Sequence, residues 1–415
     1  MKAILTLALA LSLFGSQPAY AAGDVITLEF SWKGRTYSAG ELPSQLDETS
    51  VEAIKTWTPW CQEHKYQMDL VADQRVLLIS RKGNKAVSKR LKLIDETEKE
   101  FDKILPAPKR QEKKDEGEES QPTAPKDLPE DPEGGPVGFS PTRTGSGPAA
   151  PSWSSSWGAG TWPVDSETCV MFVVKNEKEY GSLVRTIGEM EEYLAGWVDF
   201  GMTQTGFVHE KPLVGAYIEN AEGVEEWDPE NELVHRVAHM LFVRRFSSVQ
   251  PFWLIQGVSW HLENAIRETI YVYPYRHEFV FATEHTAWPN DLKNIFEGRG
   301  ATPIELHEVS EWRRGTYDGI RARVAFGLVN FLAKYHGDDL SAFAEGMRLH
   351  ALTDSKEYEE DGVTWKFKPN YAISTEDQYR FVVENFGEFC LLDAAESFRE
   401  GKKYKVKKRK KTRGK

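Results

Sequence analysis

The 415-residue chain carries 52 Lys and Arg against 64 Asp and Glu, a net charge of −12, with 40% hydrophobic residues. Its three cysteines, Cys61, Cys169 and Cys390, are too few for a disulfide framework, and no Cys-x-x-Cys pair supports a thiolate zinc site or a thioredoxin-type motif. No helix or zinc motif for reading bases is present, so specific nucleic-acid recognition is excluded.

In chain order, residues 1–21 read as a secretory leader. Lys2 precedes an apolar stretch from Ala3 to Phe14, and Ala19-Tyr20-Ala21 forms a cleavage signal. That run is too short to span a bilayer, and no later segment is apolar for about 18 residues. A secreted protein (periplasmic, cell-surface or extracellular) that is not transmembrane is therefore expected. Residues 22–104 predict an α/β segment, with strands in Val25–Trp32 and Arg75–Ser80. An amphipathic helix follows over Val87–Ile104, with Leu91, Leu93, Ile94 and Phe101 on one side. Whether this segment is its own domain or part of the next one is open. Residues 105–161 read as a disordered linker: ten of the 21 prolines fall between Pro106 and Pro151, beside acidic runs and a Gly/Ser-rich end. Trp153, Trp157 and Trp162 stand out in that region as docking points.

Residues 162–400 read as the main domain. Thr168–Val174 is an apolar run expected as a buried strand, a helical stretch runs on to about Trp197, and Leu213–Glu219 reads as another strand. Downstream, Ile320–Tyr335 predicts an amphipathic helix with Gly337 as its C-terminal stop. Leu340–Met347 and Glu376–Cys390 supply further helices. Residues 401–415 hold eight Lys and two Arg, a disordered basic tail suited to polyanion contact with anionic lipid, cell-wall polymer or extracellular nucleic acid.

The chemistry-bearing residues lie within the main domain. Glu232-Leu-Val-His235-Arg236-Val-Ala-His239-Met-Leu-Phe242 has helical periodicity, and a spacing of four puts both imidazoles on one face. A single helix supplies two zinc ligands in this way. In a His-Glu-x-x-His motif the Glu is the general base for a metal-bound water. Here the position is Arg236, which has no lone pair to accept a proton. A second segment follows, Pro251-Phe-Trp253-Leu-Ile-Gln256-Gly257-Val-Ser-Trp260-His261-Leu-Glu263, with Gln256 seventeen residues after His239.

Together these two segments resemble the gluzincin (peptidase MA-like) metallopeptidases, over roughly residues 165–395. Their second helix reads approximately Trp-Leu-x-Glu-Gly-Leu-Ala-Glu-Tyr-x-Glu. Trp253, Leu254, Gly257 and Glu263 match. The resemblance implies that Gln256 stands at the third zinc ligand, Trp260 at a carboxylate that orients a ligand histidine, and His261 at the family's Tyr. It further implies an α+β, zincin-like fold: a small mixed sheet packed on the motif helix, then a mostly helical subdomain. A strand comparable to Leu213–Glu219 would edge the cleft. His209, Glu210, His277 and His285 are the loop residues that could complete a metal site.

The expectation is a secreted pseudopeptidase that holds a peptide or protein partner in its cleft, with no cofactor expected. The alternatives are an active or weakly active zinc metallopeptidase with a rearranged site at His235 and His239, and a cell-surface structural or interaction protein.

Overall fold

The computed structural model describes residues 29–38, 42–106 (apart from 72, 74, 82 and 84), 167–190, 194–221, 227–272, 287–296, 304–312, 318–358, 365–368 and 371–405. The leader, most of the linker with its three tryptophans, and residues 406–415 of the tail lie outside them. The fold is α+β and forms two compact units. The first takes the described residues up to Glu100, with those of Pro163–Ser248 and Val258–Ala287. The second takes those of Phe101–Trp162, Val249–Gly257 and Trp288–Lys415.

The first unit is built on a sheet that is larger than expected. Its seven strands among the described residues are β1 (Glu29–Trp32), β2 (Arg35–Ser38), β3 (Tyr66–Val71), β4 (Val76–Arg81), β5 (Cys169–Val174), β6 (Gly206–Glu210) and β7 (Leu213–Ile218), in the order β2-β1-β3-β4-β5-β7-β6. β1 and β2 form a two-residue hairpin through Lys33 and Gly34, both at positive φ (48° and 72°), the twist that a tight hairpin demands. β4 and β5 pair in parallel, Leu78 opposite Met171. Parallel strands need a crossover, and helix α2 (Val87–Ile104) lies in the connection between them. The strands on either side of the linker therefore belong to one sheet. β5 and β7 are buried at every residue, which is why both read as unbroken apolar runs.

Helix α1 (Glu48–His64) covers β3 and β4. Asp47 caps its start by accepting from Ser50 N at 2.7 Å, and Lys65 closes it in the left-handed region. Trp57 and Trp60 both meet Phe172 of β5 edge to face. Helices α3 (Glu177–Met190) and α4 (Ala195–Met202) pack on each other, and α3 reaches β5 and β7. Helix α5 (Pro229–Phe246) lies along β5, β6 and β7. Leu213–Ile218, expected at the edge, is an inner strand. The edge on that side is β6, antiparallel to β7 across the Lys211–Pro212 turn.

In the second unit, helices α7 (Trp288–Phe296), α8 (Leu306–Glu311), α9 (Gly319–Tyr335), α10 (Gly337–Asp354), α11 (Thr375–Phe386) and α12 (Cys390–Glu400) accompany a short hairpin of β8 (Lys356–Tyr358) and β9 (Trp365–Phe367). Gly337 is no helix stop. His336 is the cap of α9, and Gly337 opens α10. The tail is ordered further than its composition suggests: Gly401–Lys403 form a 3-10 turn, and Tyr404 is buried against Phe331 and Tyr335. Its aromatic ring takes the apolar cover while Lys403 and Lys405 stay exposed. Among the described residues no helix is long and apolar enough to cross a membrane.

Candidate functional site

Helix α5 carries the motif. It starts where Asp228 accepts from the backbone N of Glu230 and Asn231 at 3.0 and 3.1 Å, with Pro229 in the first turn, where its missing N–H costs nothing. Acidic Glu230 and Glu232 sit in that turn and Arg244 and Arg245 in the last, the arrangement the helix dipole favours. Almost the whole helix is buried, which explains why its apolar stripe is wide and its polar residues need partners.

His235 is 1% exposed, and its Nδ1 shares a proton with Glu263 Oε1 across 2.6 Å. Glu263 belongs to α6 (Phe252–Arg267), in the stretch that forms part of the first unit. After α6 the chain turns back through Glu268 at positive φ, which brings the backbone N–H groups of Tyr271 and Val272 onto Glu263 Oε2 at 2.8 and 3.2 Å. Asn231, one turn before His235, donates its amide to the same oxygen at 2.9 Å. Burial pushes the Glu263 carboxyl up to about 8, against the downward pull of those three donors. Near neutrality the His235–Glu263 pair therefore keeps a proton.

The sequence alignment put the orienting carboxylate at position 260. The carboxylate that meets His235 is that of Glu263, almost one turn later. Trp260 is a packing residue: fully buried, it donates Nε1–H to the Val272 carbonyl at 2.8 Å, with its ring 6.3 Å from that of His235. His239 is half-buried one turn after His235, and His261 is half-buried on α6. Gln256 is buried in the part of α6 that belongs to the second unit. Beside it, Gly257 lets α9 approach: a Cβ there would stand 2.6 Å from Val329 Cγ2 and 2.8 Å from the Ala325 carbonyl. The Trp-Leu-x-x-Gly pattern thus has a packing cause.

Arg236 is 5% exposed and pairs through Nη2 with Glu232 Oε2, itself 3% exposed. Burial raises the Glu232 carboxyl, and the Arg236 and His235 charges pull it down. The guanidinium lies against Gly206 of β6. The charge of Arg236 is therefore compensated within the helix.

Of the loop candidates, His209 and Glu210 lie on β6. His209 meets Trp197 edge to face and holds its Nδ1 3.2 Å from the Pro212 carbonyl, and burial lowers its pKa to about 4. His277 and His285 lie outside the described residues. Among the described residues, no three His, Cys, Asp or Glu side chains gather as a metal site. Fitted to zinc, the residues divide. Glu263 on Nδ1 leaves Nε2 of His235 as the ring nitrogen directed elsewhere, as a ligand histidine requires. Of the ligands that the resemblance names, His235 and His239 are imidazoles, but Gln256 offers only a neutral amide, which is not among the His, Cys and carboxylate donors that zinc takes.

Sequence reasoning missed Glu232, Asn231 and Gly206. Glu232 is four residues before Arg236, a spacing and order that favour an ion pair on a helix, so its signal was present. Asn231 and Gly206 act across elements and leave none. No family model matches this chain, and no curated protein matches it significantly.

Proposed function

We propose that this chain is a secreted, zincin-like protein of gluzincin type that carries out no peptide hydrolysis and uses its cleft to hold an extended peptide or a segment of a protein partner. The observation that supports this reading is the buried Glu232–Arg236 pair at the general-base position. Hydrolysis needs a group there that takes a proton from water. A guanidinium cannot, and this one is already committed to a carboxylate. Binding asks for less. Among the described residues β6 is the outermost strand on its side of the sheet, and an added strand pairs with such an edge without any metal. The basic run after Tyr404 would add salt-sensitive contact with a polyanion.

The test is a panel of extended peptides incubated with the full chain, with and without a chelator. Anisotropy reads binding and mass spectrometry reads cleavage. Saturable, chelator-insensitive binding without cleavage is expected. Cleavage that chelation stops and His235→Ala abolishes would overturn the proposal. It would favour a second reading, a zinc peptidase with a rearranged site, which the retained His235–Glu263 hydrogen bond supports.

A further inference from the structure

We infer that Glu232, Arg236 and Gly206 form one coupled unit, an ion-pair brace that ties α5 to the edge strand β6 and fixes which residues positions 206, 232 and 236 can hold. The inference stands on α5 and β6 alone and does not depend on what the cleft binds.

Three observations lock together. Glu232 and Arg236 are both buried and pair one turn apart, so neither charge is left for solvent to neutralise. The guanidinium rests on a strand position that has no side chain: a Cβ at Gly206 would lie 2.6 Å from Arg236 Nη2, 2.7 Å from its Nε and 2.7 Å from the Ala216 carbonyl. Glycine weakens a strand interior, and here its place follows from the side chain laid over it. The φ of Gly206 is not in the positive range, so space and not backbone conformation requires the glycine.

Two consequences follow. Removing Arg236 alone strands a carboxylate that burial already disfavours, whereas removing both charges leaves an apolar contact of similar shape. A glutamate at 236 would put two carboxylates one turn apart in a buried site, where like charges resist ionising together. Restoring the motif's missing base therefore demands a change at Glu232 as well.

The experiment uses the full chain with Arg236→Met, Glu232→Met/Arg236→Met, Gly206→Ala and Arg236→Glu, and reads the unfolding equilibrium in denaturant. Arg236→Met should lower the folding equilibrium constant on the order of 10²–10³-fold, and the double variant should recover most of that. Gly206→Ala should lose at least about tenfold. Arg236→Glu should lose at least as much as Arg236→Met. If Arg236→Met is too unstable to fold, recovery of folding in the double variant carries the same information. Equal stability of the single and double variants, a harmless Gly206→Ala, or an Arg236→Glu variant as stable as wild type would each overturn the inference.

Discussion

Replacing Glu263 with Gln should remove a specific part of the protein's pH dependence. In the folded chain the carboxyl is raised by burial from 4.5 to about 8. A raised acid contributes stability that is fully present below its unfolded pKa and is lost as pH climbs through the folded value. Folding takes up one proton in that window, so the slope is about 1.4 kcal/mol per pH unit. His209 acts in the opposite sense. Burial lowers it from 6.5 to about 4, so its contribution is present above 6.5 and lost as the solution is acidified towards 4. The two slopes oppose each other between roughly pH 4.5 and 6.5, and above 6.5 only the Glu263 term remains. From pH 6.5 to 8 it should cost the wild-type chain about 2 kcal/mol. Glutamine can still accept from Tyr271, Val272 and Asn231 through its oxygen, while its amide donates to His235 Nδ1 and holds the ring proton on Nε2. The assay is denaturant unfolding of both proteins at pH 6.5 and 8, with ring-nitrogen NMR to read the tautomer. A decline of equal size in the variant, or a ring proton on Nδ1 in the variant, would refute the argument.

Three further outcomes are expected. His209→Gln should reduce the loss of stability between pH 6.5 and 4 by up to about 3 kcal/mol relative to wild type, measured by the same unfolding series. Gly257→Ala should destabilise the second unit by about 1–3 kcal/mol, because its Cβ would meet Val329 at 2.6 Å, and hydrogen exchange in α9 should report it. Deleting residues 406–415 removes seven of the ten tail cations and leaves Tyr404 in place. Binding to an immobilised polyanion should weaken and lose salt dependence with an unchanged unfolding midpoint, and unaltered retention would count against the tail as a contact.

The sequence by itself determined the elements whose periodicity is local. The apolar run at Cys169–Val174, the motif helix around His235 and the amphipathic stretch at Val87–Ile104 all report burial through their own side chains. Other elements were not legible. α1 mixes three polar-flanked tryptophan and cysteine positions with an internal Pro59, and β3 hides its strand pattern behind the buried Asp69. At the site, sequence could name His235, His239 and the arginine between them, because spacing of four on a helix is a local property. It could not say which carboxylate reaches His235, because that depends on the turn after α6 that brings Tyr271 and Val272 onto Glu263. Nor could it foresee that Gly206 would receive the Arg236 guanidinium. Periodicity tells each residue which side of its own element it occupies. Only the packed fold decides which charge from another element arrives there to meet it.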